Sequence, residues 1–448
     1  MSFKLEQVQR DLIVTVKSQI FWDLVSSCGD KIDAKLEDAM SQGVLIIEKD
    51  SLRFVATLLA AMDRNVPVII GNYHWGYTEW ASFYRQFSPA VIFGAGEVSQ
   101  KNQSVFQEKD QGIILIPTGG TSQNTLRFAI HRWESLEAQS LMVQSFLGVK
   151  ALNSICCLPL FHVSGLMQVI RAIATQGQIL FCQLDDLEAA TQTIAVEDYC
   201  LSLVPTQLER MLAKVRIFEK MCELKAIFIG GAAANESLLM KAKDYGLPIT
   251  LSYGMTETAG MVCAQSKEEF LSGKISSGKP LLNVKLELKP KDGFNIIHLH
   301  SKSLFYGYWR GEVAYDRAEG FSSNDYGQLF NDGDLVIEGR VDNWIISGGE
   351  KINPKEIEGS LVASGHVESA LVIGKDSKEW GQAVVAILLH NSNISQKALI
   401  DSVKESMKND LAAYKRPKAY VLVKELPILE NGKQDKSRLS ELLKSLTV

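Results

Sequence analysis

Short apolar runs rich in β-branched residues alternate with amphipathic stretches over the first three hundred residues, and this alternation limits the fold more than any other feature. Residues 44–47, 66–70, 90–93, 112–116, 154–158, 178–182, 201–204, 226–229 and 249–251 are apolar almost throughout, the pattern of strands buried on both faces. Longer stretches with helical periodicity, such as 51–64 and 132–147, lie between several of them. Strands separated by helices predict α/β layers with largely parallel sheets. At 448 residues with 46% apolar content, two or three domains are expected.

The pattern shifts after Lys279-Pro280. Residues 284–288 and 295–300 flank Lys291-Asp292-Gly293, a turn signal between two strands of a hairpin, which predicts a small β-rich subdomain. It shifts again after Asp342. There 354–363 reads as a helix with Asn353 at the cap and Pro354 at the first position. Residues 367–373, 383–389 and 419–423 read as strands, and 395–412 as a second helix. The expected fold class is therefore α/β: a large N-terminal domain of layered sheets with a β-rich subdomain, residues 1–341, and a small α+β C-terminal domain, residues 342–448. The first ~40 residues carry no pattern that assigns them a role.

A net charge of -5 and the absence of a long basic run argue against nucleic-acid or anionic-membrane partners. Seven cysteines, at 28, 156, 157, 182, 200, 222 and 263, include no CxxC pair and no zinc spacing. Reduced thiols and a cytoplasmic setting are expected. No secretion signal is read at the N-terminus, and no apolar run approaches the ~20 residues of a membrane helix.

Several short segments carry chemistry. Ser252-Tyr253-Gly254-Met255-Thr256-Glu257-Thr258 reads as a strand end entering a polar loop. Tyr253 could stack on a purine; the threonines and Glu257 could hold phosphate oxygens and a magnesium ion. A capped turn is the plain alternative. Thr118-Gly119-Gly120-Thr121-Ser122 follows a strand and offers backbone N–H groups to phosphates, or is a flexible turn. Gly230-Gly231-Ala232-Ala233 admits a base close to the backbone, or turns into a helix near Asn235. Asp334 could accept two hydroxyls at once, with Arg340 and Asp342 shortly after. Asn431-Gly432 presents Lys433 on a turn. His162 and Ser164 head an apolar helical stretch that contains Arg171. Ser164 and Arg171 stand seven apart and so share a helix face. A buried guanidinium is costly without a partner, so Arg171 either anchors a substrate carboxylate or snorkels to the surface.

Five of these segments, in the order Thr118–Ser122, Leu158-Pro159-Leu160-Phe161-His162-Val163-Ser164-Gly165, Ser252–Thr258, Asn331–Asp342 and Asn431–Lys433, resemble the acyl-adenylate-forming superfamily of acyl-CoA synthetases, luciferases and peptide-synthetase adenylation domains. The resemblance implies ATP, magnesium and coenzyme A, with Lys433, His162, Thr256 and Glu257 as catalytic residues and Glu257 on the metal. It places ATP against Thr118, Gly119, Gly120, Thr121, Ser122, Arg127, Gly231, Ala232, Ala233, Ser252, Tyr253, Gly254, Met255, Thr256, Asp334 and Arg340. The acid lies against His162, Ser164, Gly165, Arg171, Gly254 and Thr258. Asp342 becomes the hinge of a mobile C-terminal lid, and Gly348 with Gly349 lines the coenzyme A path. One departure stands out: the family's usual Gly-Pro-Lys is replaced by Gln123-Asn124-Thr125-Leu126, leaving Arg127 as the nearest cation.

Within the superfamily, the short chain, Arg171, and Phe128-Ala129-Ile130-His131 leading to Trp133-Glu134-Ser135-Leu136 look like o-succinylbenzoate:CoA ligases of menaquinone and phylloquinone biosynthesis. Other aryl- or fatty-acyl-CoA ligases, an amino-acid adenylation module and a non-catalytic relative are the alternatives. The implied partners are a small carboxylic acid, ATP and coenzyme A, with no nucleic acid, no membrane insertion, and a monomer or homodimer.

Overall fold

The computed structural model describes residues 3–95, 105–118, 126–212, 218–311, 315–348, 350–390, 395–428 and 434–444. The chain divides into two compact units: Met1–Glu287, His298–Ser322 and Leu329–Val336 form the first, and Leu288–Ile297, Ser323–Gln328 and Ile337–Val448 the second. It passes between them within Lys285–Lys291, Phe294–His300, Phe321–Leu329 and Leu335–Arg340, the strands of one four-stranded sheet in that order. The turn of the expected hairpin has Asp292 and Gly293 both at positive φ (50° and 83°), as a tight two-residue turn requires.

In the first unit the strands are β1 Val44–Ile47, β2 Val68–Ile70, β3 Val91–Gly94, β4 Ile114–Pro117, β5 Phe128–His131, β6 Asn153–Cys156, β7 Ile179–Phe181, β8 Tyr199–Leu203, β9 Ala226–Ile229, β10 Ile249–Met255, β11 Gly260–Ala264 and β12 Lys279–Pro280. A five-stranded sheet has the order β3-β1-β2-β4-β5, parallel except for β5 against β4. A seven-stranded sheet has the order β12-β11-β10-β9-β8-β6-β7, parallel from β10 to β7. The helix Ser51–Asp63, expected to be amphipathic, is instead buried continuously from Phe54 to Met62, because it is covered on every face. Asp50 caps it, its Oδ1 accepting from Arg53 N–H at 2.9 Å. The helix Ser18–Asp33 packs into the same core through Phe21, Val25, Cys28 and Ile32.

Parallel alignment has a functional consequence. The segments that leave β6, β9 and β10 all emerge at the carboxyl end of the seven-stranded sheet, where open α/β sheets bind ligands. One expectation needs correction. The Ser252 segment is not a loop from its first residue: β10 continues to Met255, because β11 folds back and pairs with it antiparallel.

In the second unit Glu350–Ile352, Ile345–Ser347, Gly381–Leu389 and Ser369–Ser377 form a sheet in that order, and Ala419–Val423 pairs parallel with Gly381–Leu389. The helices Pro354–Ala363 and Gln396–Asp410 cover it, burying Ile357, Leu361, Leu399, Val403 and Met407 against Val384, Ala386 and Leu388. Asn353 and Ser395 cap them, accepting from Lys355 N–H at 3.0 Å and Ala398 N–H at 3.3 Å.

Candidate active site

The turn between β10 and β11 is one 3-10 turn, Thr256–Thr258, closed by Ala259 in the left-handed region. Thr258 is fully buried, and its hydroxyl is committed to the turn: Oγ1 accepts from Met255 N–H at 2.9 Å and donates to Gly260 C=O at 2.6 Å. The register shifts between Tyr253 and Gly254. A Cβ on Gly254 would stand 2.0 Å from Gly260 O, so only glycine fits where the strands close. From β5, His131 Nε2 donates to Thr256 C=O at 2.8 Å, while Nδ1 lies 3.0 Å from Ser135 Oγ. Burial pushes the imidazole down to about 4, so it is neutral at neutral pH and keeps the proton on Nε2 that the carbonyl requires.

Glu257 is held twice. Tyr308 O–H donates to Oε1 at 2.6 Å, and Glu257 C=O accepts from Phe305 N–H at 2.8 Å. The Arg127 guanidinium lies 3.9 Å from the centre of the Tyr308 ring, a cation–π contact, and Arg127 C=O accepts from Thr118 N–H at 2.9 Å. Arg127 thus packs on the tyrosine that orients Glu257. Among the described residues Oε2 of Glu257 has no hydrogen-bond partner, which suits one hard-cation contact. No group of three or more His, Cys, Asp and Glu that could hold a metal occurs among them. A magnesium ion here would take most of its ligands from phosphate and water, its usual habit. Gly119, Gly120, Thr121 and Ser122 lie outside the described residues.

Asp334 is 1% exposed. Its Oδ2 accepts from Ser276 Oγ at 2.6 Å and pairs with Lys274 Nζ at 2.7 Å. Its Oδ1 is buried with no hydrogen-bond partner, and Lys279 Nζ lies 4.0 Å from it. A buried carboxylate oxygen without a donor is unfavourable, and a ribose hydroxyl would satisfy it. Lys274 also bonds Asp332 at 2.8 Å, and the two carboxylates hold its ammonium above the ordinary lysine range. Ser252 Oγ donates to Ile229 C=O at 3.1 Å, tying the ends of β10 and β9 together. Beside them Gly231 is left-handed (φ 81°), Ala232 is half-buried, Ala233 is exposed and Tyr253 is buried. Ser276 and Lys274 carry no local sequence signal, because they meet Asp334 from some sixty residues away in the chain.

His162 takes the extended cap position of the helix Val163–Thr175, its ring 4.5 Å from that of Phe161. A Cβ on Gly165 would stand 2.2 Å from Pro159 O, so this glycine lets the helix start against the preceding turn. Ser164 is half-buried. Arg171 is 5% exposed, which excludes snorkelling. Its Nε donates to Gln139 Oε1 at 3.1 Å, and Gln139 Nε2 donates to Met261 C=O at 3.1 Å. No described carboxylate pairs with it. Burial pushes the guanidinium down to about 10, so it stays charged at neutral pH. Gln139, a residue with no place among the sequence expectations, is what aims it.

In the second unit Arg340 grips Asp342 in a bidentate pair, Nε to Oδ1 at 2.9 Å and Nη2 to Oδ2 at 2.8 Å, and Nη1 donates to Asp325 Oδ1 at 3.0 Å. Burial raises the Asp342 carboxyl, but the Arg340 hydrogen bonds outweigh it and hold the group below the usual range. Gly348 is left-handed (φ 60°) and donates its N–H to Trp380 C=O at 2.8 Å. Gly349 and Lys433 lie outside the described residues.

Residues 134–309 match the family model of the AMP-binding enzyme, and residues 356–433 that of the AMP-binding enzyme C-terminal domain. The chain is 30% identical over 329 residues to the 2-succinylbenzoate–CoA ligase of Listeria monocytogenes, covering 72% of this chain and 68% of that one. It is 28% identical over 422 residues to the 2-succinylbenzoate–CoA ligase of Lactococcus lactis, covering 89% and 90%. The match to the corresponding Listeria innocua ligase, 32% identical, spans 61% of that protein's length. The o-succinylbenzoate CoA synthetase of Bacillus subtilis in complex with ATP and magnesium ion superposes with TM-score 0.76 at 22% identity, over 95% of this chain and 94% of that one. ATP-bound MatB from Rhodopseudomonas palustris gives 0.76 at 21% identity, over 94% and 93%. The chain belongs to the AMP-binding enzyme family, the acyl-adenylate-forming superfamily that its motifs resemble. The curated relatives cited here are all 2-succinylbenzoate–CoA ligases.

Proposed function

We propose that this protein is an AMP-forming acid:CoA ligase whose acid is 2-succinylbenzoate, a step of menaquinone or phylloquinone biosynthesis. The observation that carries the choice of acid is Arg171: a buried, charged guanidinium, aimed by Gln139, with no carboxylate partner among the described residues. 2-Succinylbenzoate has two carboxylates. One attacks the α-phosphate of ATP; the other needs an anchor, and Arg171 supplies it. A monocarboxylic acid would leave the guanidinium unpaired.

Each residue then has a task. Asp334 receives the ribose hydroxyls on its unsatisfied oxygen. Tyr253 and the Gly231–Ala233 segment flank the adenine. Thr256 and the Thr118–Ser122 segment donate to phosphate oxygens, and magnesium, when bound at Glu257, offsets the charge of the polyphosphate. His162 closes the acyl side. Catalysis of this kind rests on positioning and charge stabilisation. Residues 342–448 act as a lid hinged at Asp342, with Lys433 stabilising the α-phosphate in the first half-reaction and Gly348 with Gly349 admitting the thiol of coenzyme A in the second. The setting is cytoplasmic; among the described residues no helix is long and apolar enough to cross a membrane.

AMP release with ATP and coenzyme A, measured across aryl, fatty and amino acids, tests the reading. 2-Succinylbenzoate should be preferred over benzoate by at least ten- to a hundred-fold, the price of an unpaired buried charge. Preference for a monocarboxylic acid would overturn the choice of acid. Lys433→Ala should abolish adenylation while sparing transfer from supplied acyl-adenylate, and Asp342→Pro should do the reverse.

A further inference from the structure

Two thiols that the proposed chemistry does not use lie side by side at the carboxyl end of the seven-stranded sheet. β6 and β7 run parallel with Cys156 opposite Phe181 as their last pair, so Cys157 and Cys182 are the residues that directly follow each strand. Cys182 N–H still reaches Cys156 C=O at 3.4 Å, which keeps the chains together at this point. The two Sγ atoms are 3.5 Å apart. Neighbouring strands stand about 4.8 Å apart, within the range a disulfide spans. Both residues are partly exposed, whereas Cys28, Cys156, Cys200 and Cys263 are buried. Cys222 is exposed, with no cysteine partner among the described residues.

We propose that Cys157 and Cys182 form a reversible dithiol–disulfide site, closed by thiol exchange with a small disulfide such as oxidised glutathione. The Cys182 thiolate attacks one glutathione sulfur, breaks its S–S bond and expels one glutathione thiolate. Cys157 gives up its proton to that thiolate and attacks Cys182 Sγ, forming the protein disulfide and expelling the second glutathione. Two protein thiols are oxidised and one glutathione disulfide is reduced. The hydrogen bond between the two sulfurs lowers the Cys182 thiol and, with burial, raises Cys157, which favours Cys182 as the attacking sulfur and Cys157 as the resolving one. Bonds at partly exposed sites of this kind are the labile ones.

The site has a defined neighbour. Cys157 opens the segment that ends at His162, so drawing the two sulfurs together pulls on the start of the acyl-side loop. That consequence rests on the proposed function; the disulfide does not.

The test incubates the whole protein with oxidised glutathione and maps peptides by mass spectrometry without reduction. The wild type should yield a Cys157–Cys182 linked peptide that dithiothreitol removes. Cys157→Ser should stop at a glutathione adduct on Cys182, since its resolving thiol is gone. Cys182→Ser should show adduct at Cys222 and little at Cys157. A wild type modified at Cys222 alone, or carrying separate adducts on Cys157 and Cys182, overturns the proposal. The oxidised wild type should show a several-fold higher KM for the acid, restored by dithiothreitol, with Cys182→Ser unaffected by the same treatment. A linked peptide with an unchanged acid KM overturns the coupling to the acyl side and leaves the modification site standing. Absence of acid turnover in untreated protein would instead count against the ligase reading.

Discussion

The candidate residues of the two units are held in opposite ways. In the first unit, Thr256, Glu257 and Asp334 are fixed by partners from distant segments, and most of these bonds are buried or half-buried. In the second, Arg340 and Asp342 are 43% and 48% exposed and pair with each other, with Arg340 also reaching the buried Asp325 at 3.0 Å. The first arrangement is built in advance of any ligand. The half-exposed Arg340–Asp342 pair is the part that can be exchanged at little cost, because an exposed ion pair contributes only about 0–1 kcal/mol. On the proposed function, a rigid nucleotide site and a hinge that releases its contacts call for these two solutions respectively.

The contrast is sharpest at His131. Its ionisation is suppressed to about 4 in the folded protein against 6.5 in the unfolded chain. The unfolded state therefore takes up a proton first as pH falls. Stability from this group is complete above pH 6.5 and is lost progressively down to about pH 4, a change of about 3 kcal/mol. Denaturant titrations at pH 7 and pH 4.5 should show that loss in the wild type and less of it in His131→Gln. Equal acid sensitivity in both would break the assignment.

Asp334→Ala comes next. Losing a charge-assisted acceptor for ribose should cost about 2 kcal/mol of AMP affinity, roughly thirty-fold, read by calorimetry. Tyr308→Phe removes one neutral-donor bond to Glu257, worth about 1 kcal/mol, and should raise the magnesium concentration for half-maximal adenylation about five-fold with KM for the acid unchanged. A parallel rise in both would mean that Tyr308 supports the fold rather than Glu257. Arg340→Lys should be the smallest effect on stability, below about 1 kcal/mol by thermal unfolding; a large loss would end the comparison between the units.

Local patterns were legible where local physics decides them. Residues 44–47 and 226–229 are β1 and β9 to the residue, and Asn353 and Asn235 cap the helices that follow them. The helix Ser18–Asp33 was legible too, through buried positions 21, 25, 28 and 32 at helical spacing, yet sequence reading assigned it nothing. What no window of sequence shows is the partner brought from elsewhere. Tyr308 lies in an aromatic cluster, Phe305-Tyr306-Gly307-Tyr308, with nothing local to say which ring meets Glu257. The β10 strand was read four residues short because its continuation depends on β11 returning beside it.

β5 ties separate contacts of the Glu257 turn to a single strand. Its residues Phe128 and Ile130 exchange backbone hydrogen bonds with Tyr306, Gly307 and Trp309, while His131 reaches Thr256. Both anchors of the Glu257 turn are thus indexed to one strand, and a one-residue slip would turn every side chain to the wrong face. At its other end β5 is clamped to β4 by Pro117 opposite Phe128 and by the bond from Thr118 N–H to Arg127 C=O. Both ends of the stretch from 118 to 127 are thus fixed by β4 and β5, and β5 is the strand that also indexes the Glu257 turn. With Gln123-Asn124-Thr125-Leu126 where the family usually has Gly-Pro-Lys, this chain keeps both clamps and the Glu257 turn.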